Sequence, residues 1–346
     1  MKKVNFLTAI PLLFILTVTG CYRVQSVKGP EYNLYVFAED SDYAVLKETL
    51  HETFEREIFT PQHESHFKII HVKPADFGSY LTYKQLLFVA SLQSEGSIAD
   101  LVKRSITRQN MMEKVKKGEN FLFKNEDQWI KNQLIITLVA PTLDSLTKKI
   151  EENKDFIYNY FFNFQQKTVL DYVYSRLENK KLPGELMEKF QWTVRVPHDY
   201  FIDSEDLENH FVLLRRRIPE RWFMVKYFDG LQPDVVTEEW ALDLRDSLGV
   251  QYFKGIKTNR KYCSSKEINF LGRRCLRVEG LWEHDKQVVG GPFISYVFYD
   301  EGMQRVYLLD CATFAPNREK IPFLDQIDAM AHTFKTKLEI QREEAK

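Results

Sequence analysis

Twice in this chain an apolar, strand-like run ends in Ala-Pro and gives way to a long amphipathic stretch. The run from Gln128 to Val139 stops at Ala140-Pro141, and the run from Arg305 to Phe314 stops at Ala315-Pro316. After Pro141, apolar residues recur at Leu143, Leu146, Ile150, Ile157, Phe161 and Phe164; after Pro316 they recur at Phe323, Leu324, Ile327, Met330, Ala331 and Phe334. Both spacings fit the 3.6-residue period of a helix with one buried face. The elements upstream repeat as well. Tyr32 to Ala38 and Gln191 to Val196 read as strands, and Ser97 to Arg108 and Thr237 to Leu248 read as helices. Between them, Phe67 to Val72 with Gln85 to Leu92, and Phe211 to Arg217 with Trp222 to Phe228, read as antiparallel strand pairs. The pattern predicts an α+β fold of two similar halves, each a mostly antiparallel sheet covered by helices, produced by an internal duplication. Pro183-Gly184 marks the boundary, giving halves of 32–183 and 184–346.

Composition fits two packed sheets and excludes several classes. With 26 Phe, 17 Tyr and 5 Trp in 346 residues, the chain can fill a large core and is not intrinsically disordered. Lys and Arg number 48 against 49 Asp and Glu, so the charge balance gives no electrostatic argument for a nucleic-acid partner, and none is expected.

The first residues read as an address. Lys2 and Lys3 precede an apolar segment, Phe6 to Val18, too short to span a bilayer but suited to a secretory signal. Val18-Thr19-Gly20-Cys21 then resembles the lipobox of bacterial lipoproteins. That resemblance implies a signal peptide over 1–20, a lipidated Cys21, and a tether over 21–31. Several acyl chains on one residue hold a protein firmly to a membrane. No acidic residue stands in Tyr22-Arg23-Val24-Gln25, which points to the periplasmic face of the outer membrane. The expected partners are the membrane, through the lipid anchor, and an envelope protein. Of the remaining cysteines, Cys263 and Cys275 would close a short disulfide loop, and Cys311 reads as a buried hydrophobe.

The most distinctive words lie in the last third: Gly280-Leu-Trp-Glu283, Gly290-Gly-Pro-Phe-Ile-Ser295 and Asp310-Cys-Ala-Thr-Phe-Ala-Pro316, with Arg245-Asp-Ser247 upstream. Behind a lipobox, this combination resembles an uncharacterised lipoprotein family of the Bacteroidetes group, the domain of unknown function numbered 4837, over most of the mature chain. The resemblance implies an envelope location and assigns no catalytic residues. Trp282 with Gly290, Gly291 and Pro292 reads either as a bulged hairpin over a core tryptophan or as one wall of a small ligand groove.

Other candidates have plainer readings. His63, His66 and His71 cluster around Glu64; His63 and His66 could supply two metal ligands, but no third stands nearby at comparable spacing, and a surface loop beside a strand is the plainer reading. Arg215-Arg-Arg217 reads as a salt-bridged strand, and Glu238, Glu239, Asp243 and Asp246 with Arg245 as a solvated helix face. No cofactor or metal is implied. The functional expectation is a lipid-anchored binding or docking module. The alternative is a hydrolase or lyase acting on an envelope polymer, its carboxylates or histidines brought together only by the fold.

Overall fold

The computed structural model describes residues 32–108, 111–175 and 177–345; the signal segment, Cys21 and the tether lie outside them. The first half runs β1 (Asn33–Phe37), α1 (Asp40–Phe54), β2 (Glu57–Ile58), β3 (Glu64–Ser65), β4 (Lys68–Val72), α2 (Phe77–Tyr80) and β5 (Gln85–Ser91). It continues through α3 (Ser97–Arg108), α4 (Met112–Lys116), β6 (Leu122–Glu126), β7 (Leu134–Ala140), α5 (Leu143–Glu152) and α6 (Lys154–Tyr174). Its five-stranded sheet has the order β4-β1-β5-β7-β6. Every pair is parallel except β6 with β7.

This corrects two expectations. The strands at Phe67 and Gln85 are not an antiparallel pair; β4 and β5 flank β1 on opposite sides, each parallel to it. The sheet is also covered on both faces. Leu46, Leu50 and Phe54 of α1, with residues of α5 and α6, pack on one face, whereas Ile98, Val102 and Ile106 of α3 pack on the other. Strands buried on both faces are apolar throughout, as QLLFVAS and LIITLVA are.

The second half comprises α7 (Leu182–Phe190), β8 (Trp192–Thr193), β9 (Phe201–Asp206), β10 (Phe211–Arg216), β11 (Glu220–Asp229), α8 (Glu238–Phe253) and β12 (Ile256–Phe270). Then follow β13 (Arg273–His284), β14 (Gly290–Asp300), β15 (Arg305–Phe314), α9 (Ile321–Ala331), β16 (Lys335–Thr336) and α10 (Lys337–Glu344). Seven strands form one fully antiparallel sheet, β12-β13-β14-β15-β11-β10-β9. Helices α7 and α9 cover one face and α8 the other. Both halves therefore mix helices with sheet, but strand order and direction differ, and the duplicated design is not what the chain adopts. The shared strand–Ala–Pro–helix step is a local solution that the two sheets use independently.

The halves meet where α6 packs on α9. Glu64 of the first half caps α9 of the second: its Oε2 accepts from the backbone N–H groups of Lys320 at 2.7 Å and Ile321 at 3.1 Å. A carboxylate there satisfies orphan donors and complements the helix dipole. Tyr32 donates to Asp325 on the same helix at 3.0 Å.

Candidate functional site

The separate words of the last third converge on one place. Helix α8 buries Ala241, Leu242, Arg245, Leu248 and Gly249, which puts a guanidinium in the middle of its apolar stripe. Arg245 Nε donates to Asp310 Oδ1 at 2.9 Å and Nη1 to Thr258 Oγ1 at 3.1 Å, with the guanidinium 3.7 Å above the Phe293 ring. Ser295, directly opposite Asp310 in the β14–β15 ladder, also donates to Asp310 Oδ1. The cavity beside this network holds about 10 Å³, room for a single water. Its chemistry is therefore that of a pin: a charged pair, hydrogen-bonded on both sides, fastens α8 and β12 to the middle of the sheet.

Trp282 and the facing glycines of the next strand, Gly290 and Gly291, sit beside the pin. Trp282 is buried, packs 5.1 Å from Trp222 and 6.0 Å from Phe314, and donates its indole N–H to the Thr313 carbonyl at 3.3 Å. Gly291 pairs with Trp282, and Pro292 with Leu281. A Cβ on Gly291 would stand 2.1 Å from the Thr313 oxygen, and one on Gly290 2.6 Å from the Trp282 oxygen. The glycines let three backbones close over the tryptophan. The space that a ligand groove would need is filled by protein.

The cysteine expectation is corrected by strand register. In the β12–β13 hairpin Cys263 lies opposite Gly280 and Cys275 opposite Ile268, so the two thiols sit several rungs apart. Cys263, Cys275 and Cys311 are all free. Burial pushes Cys275 up to about 12, raises Cys311 well above its ordinary value, and raises Cys263 less. A thiol reagent at pH 8 is therefore expected to modify Cys263 alone in the folded protein and all three in urea, because the thiolate is the nucleophile. Peptide mapping that found Cys275 or Cys311 labelled as fast as Cys263 would contradict this.

The remaining candidates disperse. His63 pairs with Glu57 at 3.1 Å, His71 stacks on Tyr43 at 3.9 Å, and His66 lies 3.4 Å from Asp325 in the joint between halves. Among the described residues, no three His, Cys, Asp or Glu side chains gather as metal ligands. Asp243 and Asp246 both accept from Arg260, and Asp246 also caps the Thr258 N–H at 2.6 Å, so these acids bind β12 to α8. Arg215 pairs with Asp203 and Glu220, and Arg216 with Asp199.

Among the described residues, cavities large enough for a ligand include a cleft and a groove. A cleft of about 670 Å³ opens between the β12–β13 turn, the β14–β15 turn and α10. Five of its charged groups are engaged with one another. Arg273 donates to Asp300 and Glu339, both at 2.7 Å, and Arg274 pairs with Glu267. Burial pulls the Arg273 pKa down, but hydrogen bonds and charges from Glu339 and Asp300 raise it on balance. A groove of about 460 Å³ lies between α6 and the β6–β7 hairpin, lined in part by Phe156, Tyr160 and Phe164 with Asn159, Asn163 and Lys167. No sequence signal single-handedly marks it, although aromatic residues four apart, at 156, 160 and 164, are visible in α6.

The fold defines a chain of two bodies, a mostly parallel sheet between helices followed by an antiparallel sheet flanked by helices. Two family models match it in the same division. Residues 27–170 match the Domain of unknown function (DUF8532), and residues 178–333 match the Domain of unknown function (DUF4837). The resemblance to family 4837 thus covers the second half, where its words lie, rather than most of the mature chain. Among curated proteins none matches. Solved structures similar to this chain include LpqN of Mycobacterium tuberculosis, involved in cell envelope biogenesis: 11% identity over 42% of this chain and 82% of that one, TM-score 0.28. The Ran-binding protein Mog1p of Saccharomyces cerevisiae is similar at 10% identity over 42% and 90%, TM-score 0.28. A Bacteroides thetaiotaomicron protein is similar at 12% identity over 42% and 45%, TM-score 0.24.

Proposed function

We propose that this chain is a lipid-anchored envelope protein that acts by binding, held at the periplasmic face of the outer membrane by acylated Cys21. The observation that carries the binding reading is the state of the large cleft. Its buried carboxylate Asp300 and the half-buried Glu339 both accept from Arg273. Carboxylates held this way are fixed as acceptors, whereas a hydrolase needs one free to carry a proton and another to attack or activate water. The cavity lies within the range of small-molecule and peptide sites. The anchor rests on the ordered run of basic residues, apolar segment and Val18-Thr19-Gly20-Cys21. Among the described residues no helix is long and apolar enough to cross a membrane.

Substituting Cys21→Ser tests the anchor. Acylation is expected to disappear, and the protein to shift from the membrane pellet to the soluble periplasmic fraction. Unchanged pelleting with radiolabelled palmitate still incorporated would refute lipidation at this residue. Crosslinking from native membranes through a photoreactive residue at Glu301, on the cleft rim, tests the binding reading. A specific adduct lost on competition with unlabelled protein supports it; turnover of envelope polymer by the purified chain would favour the hydrolase instead.

A further inference from the structure

We propose that one rim of the seven-stranded sheet, the end that carries the β10–β11 and β13–β14 turns, docks on an anionic phospholipid bilayer through Ile218 and Val288. The proposal takes its bilayer from the envelope reading above and deepens the binding reading by fixing which way the large cleft faces. Strand register defines the rim. Arg216 pairs with Arg221, Glu220 with Phe314, and Glu283 with Gly290, so these strand ends lie in one row. Two turns project beyond it, residues 217–219 and 285–289. Turns are built by preference from Gly, Pro, Asn, Asp and Ser, yet each of these presents an aliphatic side chain to solvent: Ile218 is 81% exposed and Val288 fully exposed. The strand order sets β15 between the two hairpins, three strand spacings from tip to tip or about 14 Å. One flat surface can therefore meet both.

Charge separates this rim from the opposite one. Arg217 and Lys286 stand on the two turns, and Arg318 stands in the 315–320 loop that leaves the sheet between them. All three are exposed, and among the described residues none has a carboxylate partner. The turns of the opposite rim, 207–210, 271–272 and 301–304, contain Glu208 and Glu301 and no Lys or Arg. Apolar side chains flanked by cations supply the two contacts that hold a protein on an anionic membrane surface. The described chain also begins at the basic rim. The Tyr32 carbonyl accepts from the Lys68 N–H at 2.9 Å, and the Lys68 side chain pairs with Glu319 in the 315–320 loop. Residues 21–31 therefore join the described chain beside that loop, and eleven residues reach at most about 40 Å from Cys21. The bilayer that holds the anchor lies within reach of this rim.

A protein partner is the competing occupant, and the pattern of side chains disfavours it. A stable protein interface buries about 800 Å² on each partner around a contiguous core. Here the exposed aliphatic groups are two separate tips with cations beside and between them, which suits insertion at two points into a fluid phase. Docking by this rim also has a consequence for the large cleft. The β12–β13 and β14–β15 turns that line it belong to the opposite rim, so the cleft opens away from the bilayer and towards the periplasm.

The test has a tethered and an untethered arm. In the first, the acylated full chain sits in vesicles of phosphatidylethanolamine and phosphatidylglycerol and carries a photoreactive residue at position 218, 288 or 207. Phospholipid adducts are expected from 218 and 288, and at least tenfold fewer from 207 on the opposite rim. In the second, the Cys21→Ser chain is floated with the same vesicles. Weak flotation is expected that falls as salt is raised, because exposed charges are screened. Ile218→Ser with Val288→Ser should reduce it at least fivefold at an unchanged melting temperature, as should Arg217→Gln with Lys286→Gln and Arg318→Gln; Leu207→Ser should leave it unchanged. Adducts from 207 as frequent as those from 288, no flotation, or equal flotation in the Ile218/Val288 variant would overturn the proposal. In native membranes, adducts from 288 to a polypeptide with none to lipid would also overturn it, assigning the rim to a protein. Palmitate labelling reads the anchor alone and flotation of the Cys21→Ser chain reads the rim alone, so either can fail while the other stands.

Discussion

Replacing Asp310 with alanine is expected to lower folding stability by about 3–5 kcal/mol, the range for removing one partner of a buried ion pair. The residue accepts from Arg245 at 2.9 Å and from Ser295 across the ladder, and it is 4% exposed. Alanine would leave the Arg245 guanidinium under α8, stacked on Phe293 and bonded only to Thr258, with no counter-charge and little water. The lost stability is the desolvation penalty of that stranded cation more than the strength of one hydrogen bond. Two further variants separate these. Asp310→Asn keeps an acceptor without the charge and should fall between the parent and alanine. The joint change Arg245→Met with Asp310→Leu removes both charges and should recover most of the loss, since paired apolar replacements of buried ion pairs are often neutral or stabilising. Urea titration followed by tryptophan fluorescence reads all four proteins. A double variant as unstable as Asp310→Ala would show that packing around Asp310, and not the stranded charge, dominates.

The pin could have been suspected from α8. Arg245 occupies the position between Leu242 and Leu248 that an amphipathic helix turns inward. Reading it with Asp243 and Asp246 as a solvated face placed it on the wrong side. Its partner was not legible, since Asp310 is 65 positions away and meets it only because β15 lies near the middle of the sheet. Trp282 and the Gly290-Gly291 pair were legible as a hairpin over a core tryptophan. The alternative of a groove fails because Trp222 and Phe314, from other strands, fill the space.

Strand direction in the first half was misread along with the strand partners, although the sequence carries a signal of it. The continuous apolar runs of β5 and β7 differ from the alternation of a half-solvated strand, and that difference is the signature of a parallel sheet buried on both faces. The brief interval between Val72 and Gln85 suggested a hairpin instead, but the chain there carries a 3-10 turn and α2 and crosses to the far side of β1. Strand β12 escaped notice for the opposite reason. IKTNRKYCSSKEINF is largely polar because it forms a sheet edge with much of its length in solvent, and charged edges deter pairing with other chains. The amphipathic stretch after Pro141 breaks at Asn153 into α5 and α6, and the stretch after Pro316 ends at Ala331. Periodicity alone does not report such breaks. The groove under α6 was illegible because half of it comes from the hairpin before it.

Gly291→Ala is expected to be among the more damaging changes of a single methyl group in the second half. The added Cβ would stand 2.1 Å from the Thr313 carbonyl oxygen and 2.9 Å from Trp282 Nε1, which donates to that same carbonyl. Flexible side chains can yield a few tenths of an ångström; here the obstacle is the backbone of a neighbouring strand. Relief requires β14 to move from β13 at the Gly291–Trp282 pair, or β15 to move and release the indole hydrogen bond. Overpacking in a well-filled core typically costs about 1–3 kcal/mol, and a backbone obstacle puts this substitution at or above the upper end. A glycine elsewhere supplies the control. Gly184 lies in the first turn of α7 with nothing within 4 Å of its Cβ position, so Gly184→Ala should stabilise by about 0.5–1 kcal/mol through helix propensity. Urea midpoints of the two variants should therefore move in opposite directions with similar slopes. If Gly291→Ala shifted the midpoint no more than Gly184→Ala, close backbone approach would not be the reason that two glycines precede Pro292.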